Sequence, residues 1–412
     1  MKQHATVPDV ESTESITAPS PASLLDSRLH AAAARFTMGL SPIAMGLSLV
    51  DWGLHLAAAP GRQMELGNLA LQHACELGQQ WSQAWINQTQ SAIGGETDAA
   101  LPDNQWQESM NKVQNWWQQA TRVRGVSPHH QQMNEFMLRQ MFAMLEPANW
   151  PWSHPETIKT AIATGGQSLL QGGENLLHDL RQKAGFGVHE EVNQYRVGEN
   201  IAVTPGHVVY RNHLVELIQY TPQTKKVHPE PVFIVPSWIM KYYILDLSPH
   251  NSMVNYLVQQ GHTVFILSWH NPDENDRMLG LNDYLQQGIF DVLVEINKLC
   301  KQAPVHTVGY CLGGTLLAIA MAALSRLERV TGFEAMAPVK SMTLLAAQTD
   351  FSEPGEMGVL IDDSQVQMIE DLMAEQGYMS GAQMAGSFQF LNSRDLVWNK
   401  RLREYLLGVR DS

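Results

Sequence analysis

The chain has 412 residues, with 27 Lys and Arg against 41 Asp and Glu, and a net charge of −14. Hydrophobic residues make up 44% of the sequence, which is enough for a sizeable core and excludes global disorder. The negative charge argues against a nucleic-acid-binding protein and against a polybasic membrane anchor. Three cysteines (Cys75, Cys300 and Cys311) do not form a disulfide framework, and no Cys/His spacing predicts a metal site.

Residues 1–24 are polar, contain three prolines and carry acidic side chains, so we expect a disordered arm and not a secretory signal. Residues 31–50 are apolar over about the length needed to cross a bilayer. Arg35 and Pro42 interrupt this stretch, which therefore predicts two short buried or interfacial helices.

Residues 25–180 predict a helical N-terminal domain, because apolar residues recur there at three- and four-residue steps. Eight of the eleven tryptophans lie in this range. They indicate either an aromatic core or a surface for an apolar partner or polymer, and we favour the core. Residues 181–192 break the helical pattern and predict a linker.

Residues 193–361 predict an α/β core. Two strands joined by a turn at Arg211 and Asn212 open it, and short apolar strands then alternate with helices. Such alternation predicts a mostly parallel sheet covered by helices on both faces. In this core we expect a helix to begin at Ser248 and Pro249. Residues 362–412 look helical and predict a cap region over a sheet edge.

The strongest local motif runs from Gly309 through Tyr310, Cys311 and Leu312 to Gly313. A strand, a turn of small residues and a helix in succession are typical of the nucleophile elbow of α/β hydrolases, here with Cys as the nucleophile. The glycines leave room for a strained backbone, the helix favours a thiolate, and the Leu312 N–H is placed to stabilise an oxyanion. The alternative is a buried structural cysteine.

Longer motifs carry a family resemblance. The runs PSWIMKYYILDLSP (236–249), GHTVFILSWHNPD (261–273), GYCLGG (309–314), VGENIAVT (197–204) and NSRDLVW (392–398) resemble the polyhydroxyalkanoate synthases, or poly-3-hydroxybutyrate polymerases. The likeness covers roughly residues 25–412 and is tightest between about 197 and 320.

The resemblance implies a cytoplasmic acyltransferase of the α/β-hydrolase fold. Such an enzyme polymerises (R)-3-hydroxyacyl-CoA into polyester, releases CoA, and carries the growing chain as a thioester, here on Cys311. It also implies a His general base, an assisting Asp, a homodimer, a location on polyester granules, and no metal or organic cofactor. A backbone N–H near Ile239 is the second oxyanion donor that the resemblance implies.

The departure from the family lies after Cys311, where the sequence contains no histidine. We therefore expect a truncated or incomplete synthase that lacks the final strands, the His base and the Asp, and that has little activity alone. His270 follows a strand at the expected edge and is a possible accessory base, although a surface loop histidine is the simpler interpretation. Asp350 is a possible accessory acid, although aspartates more often order a turn.

Two other functions stay open. An elbow alone also permits a thioesterase or depolymerase, which would release a free acid. A chain without a base also suits a non-catalytic partner that binds granules through its Trp-rich helices.

Overall fold

The computed structural model describes residues 21–37, 40–93, 103–146, 155–183, 195–327, 336–391, 397 and 400–409. The predicted arm lies outside these ranges except for its last four residues. Those residues belong to the first helix, which begins at Pro21, so the predicted boundary at residue 24 is wrong. Proline is favoured at the first position of a helix because it has no N–H to leave unpaired.

Helices make up nearly all of the described N-terminal region. They are α1 (Pro21–Phe36), α2 (Pro42–Ala57), α3 (Pro60–Ile93), α4 (Asp103–Thr121), α5 (Pro128–Leu145), α6 (Pro155–Ala163) and α7 (Gln167–Lys183). Proline begins five of the seven, and the side chains of Ser41 and Ser127 cap α2 and α5. Helix α7 continues to Lys183, so the linker does not begin at residue 181 as predicted. The rest of the predicted linker, residues 184–192, lies outside the described residues.

The apolar stretch of residues 31–50 divides between α1 and α2. Among the described residues, no single helix has both the length and the apolar character needed to cross a membrane. One pair of helical segments, Pro42–Ala57 and Pro60–Ile86, meets those criteria together, and it is bent by 94°.

A six-stranded sheet forms the centre of the α/β core. The described residues form eight strands, six of them in this sheet: β1 (Gly206–Arg211), β2 (Val215–Tyr220), β3 (Val232–Val235), β4 (Asp246–Ser248), β5 (Asn251–Ser252), β6 (Val264–Trp269), β7 (Val305–Tyr310) and β8 (Val339–Leu345). The sheet has the order β1-β2-β6-β3-β7-β8, while β4 and β5 form a separate hairpin. Strands β6, β3, β7 and β8 are parallel to one another. At one side of the sheet, β2 runs antiparallel to β6, and β1 runs antiparallel to β2. The predicted α/β class with a mostly parallel sheet is confirmed.

Helices cover both faces of this sheet. They are α8 (Met253–Gln259), α9 (Leu281–Asp283), α10 (Asp291–Leu299) and α11 (Leu312–Leu327), with a π-helical segment, Tyr284–Phe290, between α9 and α10. Successive strand residues point to opposite faces. Phe233 and Phe265 accordingly pack with α10 and α11, whereas Ile234 and Ile266 pack with α8.

Helix α8 starts later than the sequence predicts. The chain first makes the β4–β5 hairpin through Ser248 and Pro249, and the helix begins only at Met253. The Ser252 hydroxyl accepts the Asn255 N–H and so caps α8, and it also donates to the buried Asp246 carboxylate. The serine that begins the helix is therefore Ser252 and not Ser248.

Three helices follow the sheet domain in the described part of the chain, and the first and last of them pack on the N-terminal helices. The three are α12 (Asp363–Gln376), α13 (Gly381–Leu391) and α14 (Arg403–Leu407). The buried Asp371 of α12 accepts hydrogen bonds at 2.8 Å from Ser27 and His30 of α1. The Tyr405 hydroxyl of α14 donates to Asp179 of α7 at 2.6 Å. The region predicted as a cap is thus joined to the N-terminal helices.

Asp371 links the two helical regions, and replacing it with Asn is expected to lower the free energy of unfolding by about 1–3 kcal/mol. Burial raises the pKa of this carboxyl, but the hydrogen bonds from Ser27 and His30 outweigh burial and lower the pKa below 3.8. The stabilisation is therefore present above pH 3.8 and is lost as the pH falls through the lowered folded-state pKa.

Urea unfolding at pH 7 and pH 3 measures this effect, and the exposed neighbour Glu370→Gln is the matched control. Equal stability of Asp371→Asn and the unchanged protein at pH 7 would contradict the role assigned to Asp371.

Candidate active site

Cys311 occupies the turn between β7 and α11 with a strained backbone. Its φ is +54°, a conformation that non-glycine residues rarely adopt. The Cys311 N–H donates to the Leu345 carbonyl of β8 at 2.9 Å, and its carbonyl accepts the Gly314 N–H at 2.9 Å. These bonds hold a partly exposed thiol at the end of a buried strand.

The glycines around Cys311 are required by close backbone contacts. A Cβ at Gly313 would lie 2.3 Å from the Val235 carbonyl oxygen and 2.4 Å from that of Pro236. A Cβ at Gly309 would lie 2.3 Å from the Cα of Gly314. The first turn of α11 therefore lies directly against the backbone that leaves β3.

This contact brings the two expected oxyanion donors into one region. Leu312 is the first residue of α11, and no described residue accepts a hydrogen bond from its N–H. Ile239 lies three residues after Pro236, and its N–H makes only a long 3.4 Å contact with the Ser237 hydroxyl. Among the described residues, both N–H groups are thus weakly engaged or unengaged.

An aromatic cluster supports the loop of residues 236–239. The buried Trp269 indole N–H donates to the Pro236 carbonyl at 2.8 Å. Tyr284 lies between Trp269 and Trp238, with ring centroids 5.5 and 5.8 Å away. Burial, and then the charge of Asp276, raise the pKa of Tyr284, so this phenol stays neutral. The loop that carries Ile239 is therefore held in place by the packed rings of Trp238, Trp269 and Tyr284.

The other two cysteines have different surroundings. Cys300 follows α10, and burial raises the pKa of its thiol, which disfavours the reactive thiolate. Cys75 lies on the exposed surface of α3, away from any strand-to-helix turn.

His270 lies at the same edge of the sheet, after β6. Strand β3 separates β6 from β7, so the end of β6 is two strand spacings, about 9.6 Å, from that of β7. The His270 Nε2 faces the Asp276 carboxylate at 3.2 Å, and His213 approaches the other oxygen at 2.6 Å. The structure therefore pairs His270 with a carboxylate and places its strand apart from that of Cys311.

Asp350 lies in the loop after β8, which contacts the elbow through Thr315 and Gln348 at 2.7 Å. The Asp350 carboxylate is exposed and accepts the Ser352 N–H at 2.9 Å. Hydrogen bonds from the Ser352 N–H and hydroxyl lower the pKa of Asp350 below 3.8. In the structure this residue orders a turn, which is the simpler of the two interpretations that the sequence allowed.

Comparison with known proteins gives these features a context. The family model described as "Poly-beta-hydroxybutyrate polymerase (PhaC) N-terminus" matches residues 99–257, and "Poly-beta-hydroxybutyrate polymerase N terminal" matches residues 20–62. A poly(3-hydroxyalkanoate) polymerase of Methylorubrum extorquens is 39% identical over 286 residues, which are 69% of this chain and 46% of that protein.

The chain belongs to the poly(3-hydroxyalkanoate) polymerase family. The polymerase subunit of Rhizobium meliloti is 35% identical over 69% of this chain and 46% of its own length. The polymerase subunit of Cupriavidus necator is 36% identical over 66% of this chain and 46% of its own length. The chain therefore spans about half the length of the polymerases it matches.

A solved structure, a bacterial brefeldin A esterase, aligns with 62% of this chain and 83% of its own. The sequence identity is 13% and the TM-score 0.27, so the fold assignment rests on the order and direction of the strands.

For this member of the polymerase family, the sequence did not indicate Asp276 and His213 as site residues. They lie 63 positions apart, and only the turn between β1 and β2 brings them together beside His270. The single signal was the position of Asp276 in the turn after β6, where it completes a capping box with Asp273.

Gly313→Ala is expected to lower the free energy of unfolding by about 3 kcal/mol or more, because its Cβ would overlap two backbone carbonyls. Gly173→Ala in α7 is the matched control, since nothing lies within 4 Å of that Cβ. The control should gain about 0.5–1 kcal/mol from higher helix propensity. Chemical unfolding of both variants measures the difference, and equal stability of the two would contradict the proposed close approach.

Proposed function

We propose that the chain is an acyltransferase that accepts the acyl group of an (R)-3-hydroxyacyl-CoA on Cys311, as the first half of polyester synthesis. The observation that carries this proposal is the strained Cys311 between β7 and α11, with Gly313 packed against the Val235 and Pro236 carbonyls. The family relationship supports the same acyl chemistry, since the relatives are named poly(3-hydroxyalkanoate) polymerases.

The first step exchanges one thioester for another. The Cys311 thiolate attacks the thioester carbonyl, and the resulting oxyanion is stabilised by the Leu312 and Ile239 N–H groups. The intermediate collapses, the carbon–sulfur bond to CoA breaks, and the CoA thiolate takes up the proton that Cys311 lost. Because both the substrate and the product are thioesters, the acyl group on Cys311 stays activated.

The second step transfers this acyl group to the 3-hydroxyl of another substrate molecule: an ester bond forms, the acyl–sulfur bond to Cys311 breaks, and the Cys311 thiolate leaves. The hydroxyl must lose a proton to a general base as it attacks, which contributes about 10²–10⁴-fold to such reactions. His270 is the accessory base that we propose at this edge, with Asp276 orienting its ring. Asp350 is proposed only as an accessory group, because its carboxylate is already engaged with Ser352.

Incubation of the chain with (R)-3-hydroxybutyryl-CoA tests the first step. We expect one hydroxybutyryl group per chain by intact mass and an equal amount of released CoA by chromatography. Cys311→Ala should lose both signals, whereas Cys300→Ala and Cys75→Ala should keep them.

A hydroxybutyryl adduct that survives in Cys311→Ala would overturn the assignment of the nucleophile. Continuous release of free 3-hydroxybutyrate in place of a stable adduct or an oligomer would favour the thioesterase.

We further propose that α2 contributes a surface for the polyester granule. Ile43, Leu47, Val50 and Leu54 follow steps of four, three and four residues, which places them on one face of the helix. All four side chains are more than half exposed. An exposed apolar stripe of this kind is typical of an interaction site. Dimerisation and a cytoplasmic location stay predictions.

Co-sedimentation with poly-3-hydroxybutyrate particles tests this surface in a Cys311→Ala background, which removes covalent attachment. The combined change Leu47→Glu and Leu54→Glu should shift most of the protein to the supernatant. Met278→Glu, which alters a highly exposed apolar side chain elsewhere, should leave the distribution unchanged. Binding that persists in the double variant would contradict a granule surface on α2.

A further inference from the structure

Two histidines and an aspartate from distant parts of the sequence meet at the edge of the sheet. The His213 Nε2 lies 2.6 Å from one oxygen of Asp276, and the His270 Nε2 lies 3.2 Å from the other. One potential ligand atom from each of the three residues lies within 4.8 Å of the other two. Both imidazoles thus direct a nitrogen to the same carboxylate.

The backbone around this trio is well fixed. Asn212 accepts the N–H groups of Leu214 and Val215 at 2.9 Å and donates to the Gln287 carbonyl. The His270 N–H donates to the Leu214 carbonyl at 2.8 Å, which ties the two histidine-bearing segments together. Little rearrangement of the main chain is therefore needed to hold a ligand between them.

The carboxylate is held in place. The Asp276 side chain is only 4% exposed, and one of its oxygens accepts the Asp273 N–H at 2.9 Å. The histidine side chains are 57% and 37% exposed, so their rings have room to adjust. A buried anion with two adjustable imidazoles beside it is an arrangement suited to a cation.

The two imidazole nitrogens and one carboxylate oxygen determine which cations this cluster would favour. Imidazole nitrogen is a good ligand for zinc, copper and nickel, whereas calcium and magnesium prefer sites made only of oxygen. Bonds of about 2.0–2.2 Å at tetrahedral angles place ligand atoms roughly 3.4 Å apart, so small ring movements bring the present separations to that value. Each neutral imidazole binds through Nε2 with its proton on Nδ1.

We propose that His213, His270 and Asp276 form a binding site for one divalent transition-metal ion, with Zn²⁺ the best match. Three protein ligands leave a position for water, as in exchangeable or catalytic zinc sites. The ion would link the β1–β2 turn to the loop after β6. It would also occupy His270 Nε2 and keep the proton on Nδ1, so His270 would not act as a base while the ion is bound.

Titration of the chelator-treated full chain with Zn²⁺ by calorimetry, and with Co²⁺ by visible absorption, tests the site. We expect one equivalent of specific binding and a Co²⁺ ligand-field spectrum. His213→Ala should weaken this binding by at least about tenfold and abolish the spectrum. Because the His213 side chain is largely exposed, this variant should fold like the unchanged protein, as a melt without metal will verify.

The matched control is His228→Ala, which alters a histidine whose ring lies 4.7 Å from that of His262 elsewhere in the fold. This variant should keep the Co²⁺ spectrum and the binding of one equivalent of Zn²⁺. The proposal is overturned if the unchanged chain shows no Co²⁺ spectrum, if His213→Ala binds Zn²⁺ as tightly as the control does, or if His228→Ala alone removes the signal.

Discussion

The contact between Gly313 and the carbonyls of Val235 and Pro236 is the constraint on which the arrangement of this site depends. It sets the distance between the first turn of α11 and the end of β3, and no larger residue fits between them. Cys311 must then leave β7 with a positive φ to enter the helix. The strain at one residue and the absence of a side chain at another are two consequences of the same close packing.

The same packing connects the nucleophile to the rest of the edge. The Pro236 carbonyl that approaches Gly313 also accepts the Trp269 indole N–H, and Trp269 ends the strand that leads to His270. On the other side, the Cys311 N–H is bound to Leu345 at the end of β8. A change in any one of these loops therefore reaches the thiol through backbone contacts and one buried indole hydrogen bond.

Local patterns explain how much of this the sequence predicts. The elbow motif consists of five consecutive residues, so the sequence predicts the position of Cys311. Each parallel strand is a short apolar run, so the sequence also predicts the class of fold. The ends of helices are harder to predict from the sequence, because several serines near one helix could cap its N-terminus. Ser252 prevails over Ser248 because it also binds the buried Asp246. The meeting of His213 with Asp276 depends on how the β1–β2 hairpin pairs with β6, and no spacing rule for metal ligands contains that information.

The chemistry of a thioester places two different demands on the site that we propose. Exchange between two thioesters needs a thiolate and oxyanion donors, the roles that we propose for Cys311 and for the Leu312 and Ile239 N–H groups in two neighbouring loops. Attack by a hydroxyl makes a further demand, since an alcohol is a far weaker nucleophile and must lose its proton as it reacts. In the proposed reaction, acyl capture uses residues between β3 and α11, whereas chain growth also depends on how well a base reaches the same thioester. His270 is oriented by Asp276, but it follows β6, which is two strands away from the β7 strand that leads to Cys311. An incoming hydroxyl would therefore have to lie between the ends of these two strands to contact both residues.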